Sequence, residues 1–255
     1  MSEQLIGKKL THFETIDSTN SFILRNIETL PHGFVAYSSN QTCAHGSKGR
    51  KWVEFKDKSI GISILFKQVD SQFLCVSTKL GCVCVRKTLC DFGVENVKIK
   101  WFNDIIISNK KVAGVLGESQ ICGRTTHLVL GVGLNLLQQI SDFEEHGLFY
   151  AGSIFSQTGK IIKLNEFFEK FLYNLNELYF NFQNEPSQTI KTINKTYLKN
   201  CLTIGIKLKV LDNFTQSSFN AMSKDILQNG NLLVETADKK LLELTPEQFS
   251  VFPLD

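Results

Sequence analysis

His127-Leu-Val-Leu-Gly-Val-Gly-Leu-Asn135 carries no formal charge and is apolar almost throughout between its two polar ends. A short run of this kind predicts a strand buried on both faces, in the interior of a sheet and not at its edge. Its two glycines, Gly131 and Gly133, stand where such a strand would normally offer side chains. Paired glycines inside a buried strand mark the close approach of a ligand or of another backbone. The plainer alternative, a core strand whose glycines make room for neighbouring side chains, stands beside that reading. If a ligand lies there, Asn135 at the strand's end can read a purine edge or a phosphate.

Working outward, Ile60–Phe66 and Val97–Trp101 read as strands, as do Asp104–Ser108 and Val112–Glu118, the last two joined by a hairpin-like turn at Asn109-Lys110-Lys111. Alternation over Leu10–Ile16 predicts a half-buried strand, and Asp17-Ser18-Thr19-Asn20 then offers several helix caps ahead of a helix over about 21–30, stopped by Pro31. A short strand follows at 34–38. Helical spacing of apolar residues recurs over about 72–92, 164–182 and 187–197. From Cys201 the texture changes to short strands at about 206–211, 218–226, 232–235 and 240–244, with Gln228-Asn-Gly-Asn as a turn. Closely spaced short strands suggest a small five-stranded barrel. The predicted fold class is therefore α/β (α+β): a mixed central sheet flanked by helices in a first domain, residues 1–201, and a small β-barrel domain, residues 202–255.

Composition bounds the function. The 255 residues hold 28 Lys+Arg against 25 Asp+Glu, a formal charge of +3, too balanced for a protein that grips nucleic acid mainly by releasing counterions. The seven cysteines are odd in number and show no C-x-x-C spacing, which argues against a full disulfide framework or a zinc site and for reduced thiols. His12, His32, His127 and His146 are scattered and suggest no metal. The start Met1–Lys9 lacks the apolar stretch of a signal peptide, and no run is long enough for a membrane span. A cytoplasmic protein is expected, with no membrane partner.

Three further stretches bear on chemistry. Gln41-Thr-Cys-Ala-His-Gly-Ser-Lys-Gly-Arg-Lys-Trp52 lies in a long polar segment. Its Gly46 and Gly49 let backbone amides approach phosphates, Lys48, Arg50 and Lys51 oppose their charge, and Trp52 offers a flat face to a ring. A solvated basic loop with one anchoring tryptophan is the bland alternative. Lys98-Ile-Lys-Trp-Phe-Asn-Asp-Ile105 supplies an Asn103-Asp104 pair of the oxygen type that suits magnesium. Lys110-Lys111-Val-Ala-Gly114 then sets a lysine beside small residues, where an anion can meet it while the backbone stays close.

Taken in order, Asp17-Ser-Thr-Asn20, Gln41 to Trp52, Lys100-Trp-Phe-Asn-Asp104, Lys111-Val-Ala-Gly114, Gly131-Val-Gly-Leu-Asn135 and Ala151-Gly-Ser-Ile154 resemble the catalytic core of biotin protein ligases over roughly residues 10–160. The carboxyl end is similar in length and texture to that family's small terminal domain. The resemblance implies a class II synthetase-like fold and a two-step reaction. ATP, with Mg2+, activates the biotin carboxylate as biotinyl-5′-AMP, and a lysine of a carboxylase's biotin carboxyl-carrier domain then attacks it. No enzyme nucleophile is needed, in keeping with the absence of any Ser-His or Cys-His arrangement in the sequence.

By motif position, the resemblance places Ser18, Thr19, Asn20, Gln41, His45, Gly46, Ser47, Gly114, Gly131 and Gly133 on the biotin side. It places Lys48, Gly49, Trp52, Asn103, Asn135 and Ala151 on the ATP side, Asp104 at magnesium, and Lys111 and Arg50 in catalysis. Where the family usually has Gly-Arg-Gly-Arg, this chain has Ala44-His45-Gly46-Ser47, two guanidiniums fewer. A neutral imidazole does not reproduce the arginine fork. Phe102 replaces a proline that stiffens its turn.

Two rivals are kept: a lipoate or octanoate ligase on the same scaffold, and a degenerate biotin-binding module motivated by His45 and Ser47. Only nine residues precede the first motif, too few for a helix-turn-helix, so no DNA partner is expected. A homodimer is left open.

Overall fold

The computed structural model describes residues 5–254; Met1–Gln4, part of the amino-terminal reading, and Asp255 lie outside the described residues. Its elements are β1 (Leu10–Phe13), α1 (Thr19–Arg25), β2 (Val35–Ser38), β3 (Ser59–Phe66), α2 (Ser71–Asp91), β4 (Lys98–Lys100), β5 (Asp104–Ile107), β6 (Lys110–Cys122) and β7 (Thr125–Asn135). Four helices follow, α3 (Ile140–Glu144), α4 (Ile154–Thr158), α5 (Leu164–Asn184) and α6 (Pro186–Asn200). The chain ends in β8 (Lys207–Asp212), β9 (Ser218–Ile226), β10 (Leu232–Thr236), β11 (Leu241–Leu244) and β12 (Phe249–Pro253).

The first seven strands make one mixed sheet in the order β1-β2-β3-β7-β6-β5-β4, parallel only between β1 and β2. The last five form an antiparallel sheet in the order β11-β10-β9-β8-β12, where the sequence predicts a barrel. The fold class read from the sequence holds.

β7 is interior, paired with β3 on one side and β6 on the other. Strand alternation explains how it serves two layers. Leu128, Leu130, Val132 and Leu134, with Ile60, Ile62, Ile64 and Phe66 of β3, pack with residues of α2 and α5 in the main core. On the other face the paired residues shrink along the strands: Leu65 opposite Val129, Ser63 opposite Gly131, Gly61 opposite Gly133, Ser59 opposite Asn135. Leu65 and Val129 are covered by Ile23 and Ile27 from α1 and the segment after it. Beyond them the face carries almost no side chains, and the cleft opens there.

Two local readings change. The helix predicted from about residue 21 begins at Thr19, because the Ser18 hydroxyl accepts from Ser21 N at 3.3 Å and caps it. The hairpin turn lies one residue earlier than predicted. Ser108 and Asn109 both have positive φ, 48° and 63°, as a two-residue hairpin turn requires, so Lys110 and Lys111 belong to β6. The main core also reaches into the second sheet, through Leu208, Val210, Leu232 and Val234.

Candidate active site

The floor of the cleft is a row of three glycines on adjacent strands, Gly61, Gly133 and Gly114, aligned by register. A Cβ on Gly133 would lie 2.8 Å from the Trp52 ring, one on Gly61 would lie 2.0 Å from Gln41 Nε2, and one on Gly114 would meet both Lys111 and Trp52 at 3.4 Å. The side chains that cross over the sheet use the space these residues leave. Trp52 Nε1 is buried and has no hydrogen-bond partner among the described residues. It is free to donate to a ligand acceptor.

One end of the cleft is a buried polar relay. Gln41 Oε1 accepts from Thr19 N at 2.7 Å and from Thr19 Oγ1 at 3.0 Å, which turns the Gln41 NH2 group the other way. Ser63 Oγ lies 2.7 Å from Thr19 Oγ1 and also reaches Asn20 Oδ1. Asn20 Oδ1 sits over Gly131, so close that a Cβ there would come to 2.4 Å. The opposite edge of that amide, Nδ2, donates to Glu118 Oε2 at 2.7 Å. Glu118 also receives His45 Nε2, 3.2 Å from each of its oxygens. Behind Gln41, Glu54 Oε2 accepts from Gln41 N at 2.7 Å, and burial pushes the Glu54 carboxyl up to about 7.

The other end is charged. Lys111 Nζ is 2.6 Å from Asp104 Oδ1 and 5.5 Å from the centre of the Trp52 ring. A β-bulge aims this lysine. Ile105 pairs with Ala113 but Ile106 pairs with Lys111, so Val112 is extra, and Lys111 comes to the same face as Gly114 three residues on. Asn103 clamps the turn before Asp104: its Nδ2 donates to Val115 O at 2.7 Å and its carbonyl accepts from Val115 N at 2.9 Å. Asn135 Nδ2 donates to Gly152 O at 3.0 Å, and Asn135 Oδ1 accepts from Gln138 at 3.1 Å. Ala151 is held beside Lys111, whose backbone bonds Tyr150 and Gly152.

Ser18, Thr19, Asn20, Gln41, His45, Gly46, Ser47, Arg50, Trp52, Asn103, Asp104, Lys111, Gly114, Gly131, Gly133, Asn135 and Ala151 all line this one cleft. Lys48 and Gly49 line instead the neighbouring groove toward the second sheet, where Lys48 Nζ donates to Phe249 O at 2.8 Å and reaches Ser250 Oγ at 3.0 Å. Arg50 folds back on Ser47, its Nη2 donating to Ser47 Oγ at 3.1 Å. Sequence reasoning missed Gly61, Ser63, Glu54 and Glu118. Gly61 and Ser63 carried a signal, because they break an otherwise apolar strand at every second residue. The carboxylates carried none.

A profile of the Biotin/lipoate A/B protein ligase family matches residues 12–135. Among relatives, the chain is 30% identical over 138 residues to the "Bifunctional ligase/repressor BirA" of Escherichia coli, 52% of this chain and 42% of that one. It is 24% identical over 240 residues to the protein of the same name in Bacillus subtilis, 92% of this chain and 72% of that one. The alignment thus spans less than half of the Escherichia coli protein. The fold is similar to that of the biotin protein ligase from Aquifex aeolicus in complex with biotin and ATP, with a TM-score of 0.77, 22% identity, and coverage of 97% of this chain and 100% of that one. No helix among the described residues is long and apolar enough to cross a membrane.

Proposed function

We propose that the chain, matched over residues 12–135 by the Biotin/lipoate A/B protein ligase family, is a member of it that activates biotin with ATP as biotinyl-5′-AMP, releasing pyrophosphate, and transfers the biotinyl group to a lysine of a carboxylase carrier domain. One observation carries the reading. The glycine row leaves a bare floor between the polar relay at Gln41 and the Lys111–Asp104 pair, beneath the Trp52 ring. A ligand with a hydrogen-bonding ring at one end, an aliphatic chain and a carboxylate at the other fits that sequence of surfaces.

In this arrangement Ser18, Thr19, Asn20 and Gln41 meet the ureido ring, and Gly131, Gly133 and Gly114 let the chain lie against the sheet. Lys111 faces the carboxylate and the adenylate phosphate. Its ammonium stabilises charge that grows as the carboxylate oxygen bonds to phosphorus and pyrophosphate leaves. In the second step an amine attacks the biotinyl carbonyl and AMP departs, so positioning and charge stabilisation suffice. Trp52, Asn103, Asn135 and Ala151 border the nucleotide, with Lys48, Gly49 and Arg50 on the loop that covers it and His45, Gly46 and Ser47 nearer biotin.

Among the described residues no three His, Cys, Asp or Glu side chains come together as a metal cage. A single carboxylate, Asp104, fits a magnesium ion held chiefly by ligand phosphates. When bound, such an ion supplies charge to the departing pyrophosphate. Residues 1–201 serve as the catalytic domain and 202–255 as a small second domain.

The test incubates the protein with ATP, Mg2+ and either biotin or lipoate, then measures pyrophosphate release and the mass of an added carrier domain. Biotin-dependent release and a biotinyl mass on one lysine are expected. Release with lipoate alone would reassign the cargo, and release with neither would remove the activity.

A further inference from the structure

We infer that Glu118 is a positioning residue that sets the hydrogen-bond polarity of the ring end of the cleft; the inference rests on the reading of that end as the biotin pocket. An ionised carboxylate only accepts hydrogen bonds. Glu118 Oε2 takes the Asn20 Nδ2 proton at 2.7 Å, so Asn20 must present Oδ1 to the other side, over Gly131 and within reach of Ser63 Oγ. Ser63 has one hydroxyl proton, and Asn20 Oδ1 takes it. Thr19 Oγ1 lies 2.7 Å from Ser63 Oγ, and Gln41 Oε1 is held separately by Thr19 N at 2.7 Å. Reversing the Asn20 amide would set an N–H over Gly131 where an acceptor now stands.

The same carboxylate holds the loop that closes the cleft. His45 Nε2 donates to it from 3.2 Å, so one side chain on β6 fixes both the start of α1 and the loop at residue 45. Glu118 stands outside the lining of the cleft itself and borders the adjacent groove, so it acts through Asn20 and His45 and not by touching the ligand. The site is buried enough for polarity to matter: Asn20 is 6% and Ser63 1% exposed.

The experiment measures biotin binding by calorimetry, without ATP, for the full chain and three variants whose folding is checked by thermal melting. Glu118→Leu, which leaves Asn20 Nδ2 without an acceptor, should weaken binding by about tenfold or more, as should Asn20→Asp, which sets carboxylate against carboxylate. The double variant Asn20→Asp with Glu118→Gln reverses the direction of that one bond while keeping an acceptor over Gly131, and should return to within about threefold of the parent. A residue with only a packing role would not be rescued in this way. Parent-like binding by Glu118→Leu, or a double variant no better than Asn20→Asp, would overturn the inference alone. A parent protein that binds no biotin would overturn the functional reading and this inference with it.

Discussion

Lys111 Nζ lies 2.6 Å from Asp104 Oδ1 across the bulged β5–β6 pair, with the Trp52 ring 5.5 Å from the same ammonium. Lys111, whose Nζ lies 3.4 Å from where a Cβ on the floor glycine Gly114 would stand, is thus held, by a carboxylate, beside the position proposed for the ligand carboxylate. Lys111→Ala should lower biotin-dependent pyrophosphate release by about a hundredfold or more, the scale of losing one preorganised charge at a reacting centre. Lys110, whose ammonium turns away to the Phe149 carbonyl, should tolerate alanine with activity within about twofold. Equal losses in the two variants would contradict the assignment of Lys111.

The two glycines of β7 separate the halves of the cleft. A methyl at Gly131 would strike Asn20 at 2.4 Å, and one at Gly133 would strike Trp52 at 2.8 Å. Gly131→Ala should therefore raise the KM for biotin by about tenfold with a smaller effect on ATP, whereas Gly133→Ala, which crowds both the biotin chain and Trp52, should raise the KM for both. Steady-state kinetics with each substrate varied in turn decides it. If both variants impair both substrates alike, the division between ring end and nucleotide end is wrong.

How far the sequence reaches follows from where the information sits. The uncharged run from Leu128 to Leu134 contains both the interior strand and its glycine gap, since alternation and the absence of side chains are local properties. The turn at Ser108-Asn109 and the bulge at Val112 are not local in that sense. Asn109 tolerates positive φ and marks a turn, but Ser108 does not announce itself as the turn's first central residue, and a bulge exists only relative to the partner strand, here β5. Glu54 and Glu118 stay hidden for a similar reason. Each is an ordinary charged residue until folding sets it behind Gln41 or against Asn20 and His45, more than 70 residues away for the Glu118 pairs.

Glu54 gives a pH dependence with a definite sign. Its carboxyl is raised by burial from 4.5 to about 7, while the side chain and the backbone N–H of Gln41 pull the other way. Between these values the folded chain keeps a proton that the unfolded chain has released. The stabilisation tied to that proton is fully present below about pH 4.5 and is lost as pH rises through about 7. Glu54→Gln should match the parent's stability near pH 5 and exceed it at pH 8, by up to the order of 3 kcal/mol. Denaturant unfolding at the two pH values tests this, and a difference that does not grow with pH would remove burial of the charge as the cause.

In the proposed reaction, the loop over the cleft should set how long the activated intermediate stays bound. Charge-assisted hydrogen bonds to an adenylate each contribute roughly 1.5 to 3 kcal/mol, so each one missing speeds escape by about tenfold or more. The loop's basic side chains are partly engaged: Lys48 is bonded to Phe249 O and Ser250, Arg50 is folded onto Ser47, and His45 is drawn to Glu118. Ser47 brings no charge at all. The double change His45→Arg with Ser47→Arg should therefore slow the release of preformed biotinyl-AMP by about tenfold or more. The measurement is the release rate of labelled biotinyl-AMP from parent and variant at one salt concentration, because ionic strength weakens both sets of contacts. A variant that releases no more slowly would mean that the intermediate is retained by the floor, Trp52 and Lys111, with the loop contributing shape and not charge.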